Sequence, residues 1–299
     1  MKKILLIVFL TFTAAFTPIA AKVVVNAISP LSLAFLRFGT ATLLLLAVFR
    51  FYGLNFKIDK KDRALFVFLA LLVIPINQFC FLNGIKLSVA SHSGVLYACT
   101  PLIVYIASIK TKNETFNYRK LFSISLTILG ILIIFYENLL LPENKGKYFI
   151  AGDIVLFFAV ASWSLYLAFS QNMVLKYGAL KTQTISFTLG IIFYIPLFIM
   201  DFGNLNFDKV NFYTILGFLH LTILVAFGSY FLYSYSIKVI KSSTLTTMTN
   251  MSPVVTIIFS WLLLNENLSY FFMAGAAVTM LGVFFTQRVK DEMPISTLN

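Results

Sequence analysis

Side chains able to do chemistry are scarce in this chain, and their spacing excludes most reactions. Histidine occurs only at His92 and His220, alongside 11 Asp and Glu residues. An enzyme acting on lipids would need His, Asp or Ser-Lys groups gathered near one interface. Here the histidines stand far apart and the carboxylates are scattered, so no catalytic residue is expected. Cys80 and Cys99 fall inside apolar runs, where cysteine serves packing rather than a disulfide or a metal. No Walker sequence is present, so no nucleotide drive, cofactor or metal is expected. What remains is a set of polar groups inside long apolar runs: Arg37, Asn77, Gln78, His92, Tyr97, Trp163, Tyr166, Tyr230, Thr249 and Asn250. Lipid cannot satisfy such groups, so each lines a cavity or bonds to a neighbouring helix.

Their spacing suggests one aromatic and polar site for a small solute. Trp163 and Tyr166 are three apart, on one helical face. Arg37 lies some six residues inside its run, about 9 Å deep. An arginine at mid-membrane costs at least ~2.5–3.5 kcal/mol. It either snorkels to the outer interface or faces a cavity and holds a carboxylate; the same two readings hold for Lys22, with snorkelling ahead of the cavity. His92, beside Ser91, Ser93 and Gly94, either relays protons or bonds a neighbour. Pro101 and Pro253 are hinge candidates or packing kinks. Glu114 and Glu266 each cap the next helix or close a gate. Asp153 and Asp201 fall at outer ends of runs, where water is expected to reach them. No run pairs several carboxylates, so a facilitator or exchanger is expected ahead of a proton-coupled carrier using His92.

Apolar runs must position these residues. Of 299 residues, 60% are hydrophobic and 11% charged, the balance of an integral membrane protein. The net charge of +12 sits in clusters between apolar runs, which argues against a nucleic-acid partner. With about 20 residues needed per crossing, the runs give ten spans: 4–25, 31–51, 64–84, 91–109, 121–137, 150–172, 182–201, 212–235, 242–263 and 268–287. They are continuously apolar, so helices rather than barrel strands are expected. With the N-terminus inside, 17 Lys and Arg fall on inner segments and four (Lys86, Lys145, Lys147, Lys209) on outer ones. Both termini are therefore expected in the cytoplasm.

Residues 85–134 align without a gap on 237–286, with 12 of 50 positions identical. Pro101 meets Pro253, Asn113-Glu114 meets Asn265-Glu266, Tyr118 meets Tyr270 and Gly130 meets Gly282. At the same offset, Asn77 and Gln78 correspond to Ser229 and Tyr230, and Tyr97 to Thr249. This register marks an internal duplication. Five spans per half is an odd number, so the second half enters from the opposite side, as in inverted-repeat transporters. The opening MKKILLIVFLTFTAAFTPIAAK reads like a signal peptide. Its counterpart is the span at 150–172, so it is expected to stay as the first transmembrane helix.

The stretches LNGIKLSVASHSGVLYACTPLIVYIAS and YSIKVIKSSTLTTMTNMSPVVTIIFSWLLLNENLSYFFMAGAAVTMLGVFF resemble the EamA-like family of the drug/metabolite transporter superfamily. Both carry a small-residue helix, a mid-helix Pro and a turn Glu; the first copy runs on to a helix with Leu129-Gly130, the second to Leu281-Gly282. SPLSLAFLRF, with Arg37, and GDIVLFFAVASWSLYLAFS, with Trp163 and Tyr166, resemble the family's second and sixth helices. Lys241 and Ile240 stand where the family more often has small residues. The resemblance implies a ten-helix carrier moving small metabolites such as amino acids through a bacterial inner membrane, often outward. The expected chain is thus all-α, with repeats at 1–140 and 149–288 and a cytoplasmic tail at 289–299. Its expected partners are a small-molecule substrate and the lipid bilayer, with a homodimer open to it. The expected action is alternating access, with spans five and ten as peripheral supports. A lipid-modifying enzyme and a non-transporting scaffold or sensor are the rivals.

Overall fold

The computed structural model describes residues 2–110, 117–140, 149–232 and 251–288. Every regular element among them is helical, and none is a strand. The first half begins with α1 (Lys2–Val25) and α2 (Pro30–Phe51). A 3-10 turn (Lys60–Asp62) then leads into α3 (Arg63–Leu71), a π-helical segment (Leu72–Ile76) and α4 (Asn77–Leu87). After them come α5 (Ala90–Tyr97), α6 (Thr100–Lys110) and α7 (Tyr118–Leu140). The second half runs α8 (Phe149–Tyr177), α9 (Ala179–Asp201), α10 (Phe212–Leu219) with a second π-helical segment (His220–Ser229), α11 (Met251–Leu264) and α12 (Tyr270–Arg288).

A helix overlaps each of the ten expected runs. Among the described residues, seven helical stretches are long and apolar enough to cross a membrane. Three further apolar helices, Phe122–Ile134, Ser252–Leu264 and Tyr270–Phe285, are shorter. The outer faces carry Leu43, Phe122, Ile199, Trp261 and Tyr270, all largely exposed. A contiguous apolar exterior of this kind marks a surface made for lipid rather than water. The chain is a multi-pass membrane protein.

Prolines set the irregularities. Pro75 has no N–H to donate, and the helix around it widens into the first π-helical segment. Pro75 has no counterpart in the second half, where the corresponding position is Phe227. The run at 91–109 breaks after Tyr97 and restarts at Thr100, so Pro101 is the second residue of α6. There its missing N–H costs no helical hydrogen bond. Pro253 is likewise in the first turn of α11, and the stretch before Met251 lies outside the described residues.

Helix α1 is part of the core. Ala15, Ala21 and Val24 are fully buried, and the helix packs on α10, the second π-helical segment and α11. The interhelical contacts follow a pattern. Helix α6 packs on α8 as α11 packs on α1. Two pairs, α2 with α9 and α7 with α12, join corresponding elements directly. In the last pair a β-carbon added to Gly130 would lie 2.5 Å from the Thr279 nitrogen, and one added to Gly282 would lie 2.5 Å from the Thr127 nitrogen. Only glycine permits that approach of two backbones.

Candidate functional site

The two π-helical segments lie in the third and eighth runs, and each offers a backbone carbonyl to a side chain of another helix. The Ser162 hydroxyl donates to Leu72 O at 2.7 Å. Arg37 Nε donates to Leu221 O at 2.7 Å. Arg37 is 1% exposed, so it does not snorkel; the alternative of an interior guanidinium is the one observed. Its Nη1 donates to Gln78 Oε1 at 3.1 Å. Gln78 Nε2 donates in turn to Asn77 Oδ1, and Asn77 Nδ2 to Ala159 O at 2.8 Å. The chain of bonds thus runs from α2 through the start of α4 to α8.

No carboxylate pairs with Arg37 among the described residues, and its Nη2 makes no hydrogen bond there. The groups facing it are aromatic. The Tyr97 and Tyr230 phenols lie close enough to interact with its charge, and its Cζ sits 5.0 Å over the Phe38 ring. Tyr230 lies 4.8 Å from Trp163, ring centre to ring centre, and Trp163 stacks on Tyr166 at 5.6 Å. Phe187, which the sequence reading did not single out, closes this wall 5.4 Å from Tyr230. Other buried polar atoms are left without a partner. The Thr182 and Thr222 hydroxyls and Gln183 Oε1 are buried without a partner among the described residues.

The EamA-like transporter family model matches residues 1–136 and 150–288, nearly the whole chain in two copies. The chain belongs to the EamA-like transporter family. An uncharacterized transporter of Archaeoglobus fulgidus is 29% identical over 266 residues, covering 89% of this chain and 90% of that protein. The uncharacterized transporter YyaM of Bacillus subtilis is 24% identical over 283 residues, covering 94% and 91%. A crystal structure superposes with a TM-score of 0.65 at 13% identity, over 94% of each chain, and so shares the fold.

Seven expected site residues of this EamA-like protein therefore come together: Arg37, Asn77, Gln78, Tyr97, Trp163, Tyr166 and Tyr230. Thr249, Asn250 and Glu114 lie outside the described residues. His92 belongs to a second cluster, between α5 and α8. Its Nδ1 lies 2.9 Å from Asp153 Oδ2, and both side chains are buried. Its ring stacks on Phe272 at 4.9 Å, and the Ser88 hydroxyl donates to Asp153.

Both aspartates expected to meet water are instead enclosed, Asp153 at 1% exposure and Asp201 at 7%. Asp201 accepts from the Ser29 hydroxyl, the Ser32 hydroxyl (2.8 Å) and the Ser32 N–H (3.0 Å), which caps α2. A carboxylate at a run's end reads as solvated, but a neighbouring helix N-terminus satisfies it as well as water does. Glu266 is a further correction. It does not cap the following α12, whose Phe272 N–H donates to Ser269 Oγ at 3.0 Å. Instead its carboxylate crosses to α5 and accepts the N–H groups of Ala90 (2.7 Å) and Ser91 (3.0 Å). Lys22 holds the other side of that turn, donating to Ile85 O (2.8 Å), Lys86 O (3.3 Å) and Ser88 O at the end of α4. Its half-buried ammonium is thus held at the end of α4. A Glu266→Gln replacement is expected to lose about 1 kcal/mol of this helix-end pairing, or roughly 2 °C of thermal midpoint. Thermal unfolding in detergent measures it.

His220 Nε2 lies 3.3 Å from Thr13 O, at the contact of α1 with the second π-helical segment. His220 thus bonds a neighbouring helix. At the opposite end of α8, Lys176 pairs with Asp59 and Asp62, and the Tyr177 hydroxyl donates to Asp62. The Lys176 ammonium holds the Asp59 carboxyl below its usual range.

Proposed function

We propose that this transporter carries a small polar metabolite across the bacterial cytoplasmic membrane by alternating access between two inverted five-helix repeats. The buried Arg37 guanidinium, unpaired by any described carboxylate, carries the reading of the site. A buried cation without a counter-ion is costly, and a carboxylate on the cargo would offset that cost in two directed bonds. The rings of Trp163, Tyr166 and Tyr230 would cover the cargo's apolar part, as in small-molecule sites generally. An amino acid or a similar metabolite fits this chemistry, and outward movement is the direction the family resemblance favours.

The packing supports the inverted arrangement. Gly130 faces Thr279 as Gly282 faces Thr127, and these four positions pair at the offset of the sequence repeat. A contact that maps onto itself when its partners are exchanged is the signature of a two-fold axis. Positions 127 and 282 meet, as do 130 and 279, so the two helices run antiparallel. Ten crossings with both ends in the cytoplasm agree with the distribution of Lys and Arg.

The site draws on both repeats. Arg37, Asn77, Gln78 and Tyr97 come from the first, and Trp163, Tyr166, Phe187 and Tyr230 from the second. Arg37 bonds a carbonyl of the second repeat, and Asn77 bonds another. A shift of one repeat against the other would therefore reshape the site, which is the coupling alternating access needs. Reconstitution tests the reading. A metabolite panel screened by thermal shift identifies a ligand, and flux of that ligand is then measured in proteoliposomes. Saturable flux is expected. Trp163→Ala and Asn77→Ala are expected to lower it about ten-fold or more, the loss of one stacked ring or one buried hydrogen bond, with expression unchanged. Unaltered kinetics in both would remove the site, and absence of saturable flux would remove the function.

A further inference from the structure

Beyond the transport site, the structure has a cleft of about 630 Å³ where the segment before α3 folds over α3 and α9. That volume is typical of a small-molecule site. Three basic residues line it, Lys57, Lys60 and Arg63, and no acidic residue does. The rest of the wall is apolar, with Phe66, Val67 and Leu189 forming the floor.

The cleft is built rather than a chance fold of a loop. Lys181 donates to Lys57 O at 2.7 Å, the Asp59 N–H donates to the Tyr177 hydroxyl at 3.0 Å, and the Phe56 ring packs on Phe49 at 4.7 Å. The two nearby acids are already taken, because Lys176 of α8 pairs with both Asp59 and Asp62. Lys57, Lys60 and Arg63 are exposed and have no ion-pair partner among the described residues. An electropositive rim therefore stands over an apolar floor, at the end of the long apolar stretch Lys60–Leu87.

We propose that this cleft holds one anionic phospholipid, its phosphate on Lys57, Lys60 and Arg63 and an acyl chain along Val67 and Leu189. The charge selects a phosphate and the floor selects a hydrocarbon tail. Only a lipid presents both from the side of the bilayer. Val67 at 39% and its neighbour Phe68 at 41% exposure show that the floor opens outward onto the lipid-facing surface. The cleft also lies at the end that the Lys and Arg distribution assigns to the cytoplasm, whose leaflet is rich in anionic lipid.

The test uses the full chain in neutral detergent with added dioleoyl phosphatidylglycerol, dioleoyl phosphatidylcholine or inorganic phosphate. Phosphatidylglycerol is expected to raise the thermal midpoint, and the other two are not. The triple variant Lys57→Gln, Lys60→Gln, Arg63→Gln, all surface positions, is expected to keep its midpoint in detergent alone and to lose the lipid shift. Native mass spectrometry should show one retained phosphatidylglycerol in the parent and on the order of 100-fold weaker retention in the variant, the effect of three basic groups near a lipid surface. An equal shift with phosphatidylcholine would overturn the charge requirement. A shift with phosphate alone would make this a soluble-anion site. Undiminished lipid retention by the variant would place the lipid elsewhere.

Discussion

Arg37→Gln should cut saturable flux of an anionic or zwitterionic cargo by about 10- to 100-fold, the worth of one hydrogen bond to a charged group. The protein should survive the change. Glutamine keeps a donor and removes a buried charge that has no counter-ion among the described residues, and an uncompensated charge in low dielectric is itself unfavourable. The thermal midpoint is therefore expected to hold or rise. The opposite pattern is informative. If Arg37 serves only to tie α2 to Leu221 O, a shorter side chain breaks that tie, and midpoint and flux fall together. Arg37→Lys separates charge from shape. Lysine keeps the charge but lacks the planar fork that bonds Leu221, Gln78 and a guest at once. A lysine variant as poor as the glutamine variant would mean that geometry matters; recovery with lysine would mean that charge alone does. Flux in proteoliposomes and unfolding in detergent, on the same preparations, decide between them.

The positions of the helices were legible because the apolar runs are long and Lys and Arg fall between them. The gathering of Arg37, Asn77, Gln78 and Trp163 was legible for a related reason. Lipid satisfies none of them, so they had to meet each other or a guest. Their partners were not legible. Arg37 bonds a carbonyl, and carbonyls carry no sequence signature; Leu221 looks like any other apolar residue in its run. The second π-helical segment, which offers that carbonyl, contains no proline to announce it. Asp153 misled for another reason. At the edge of an apolar run it reads as solvated, and nothing local reveals that His92, 61 positions earlier, packs against it. Glu266 shows the same limit. Helix-capping logic correctly assigned the carboxylate to a helix N-terminus but chose the nearest helix in sequence, whereas the one it reaches begins 176 positions before it. Where helices far apart in sequence pack together, sequence proximity is a poor guide to which ends meet.

Gly130→Leu and Gly282→Leu should be the most damaging single changes to stability, and equally damaging. At each position a β-carbon would lie within 2.6 Å of atoms of the facing helix, and the atoms it meets include backbone, which cannot swing aside as a long side chain can. The helices would have to part. Overpacking of this kind typically costs ~1–3 kcal/mol, occasionally more, and here it also separates the Thr127 and Thr279 contacts along the seam. Alanine at the same sites should give a milder form of the same loss. The equality is the sharper expectation. Under an exchange of the two repeats Gly130 becomes Gly282 and Thr279 becomes Thr127, so the two substitutions disturb one contact seen from its two ends. Their combination should cost less than the two single losses added, because once α7 and α12 have separated the second side chain meets less resistance. Thermal midpoints of the two single variants and the double variant measure this. A large effect at Gly130 with none at Gly282 would mean that the seam lacks the two-fold relation, and with it would go the main structural support for oppositely threaded repeats.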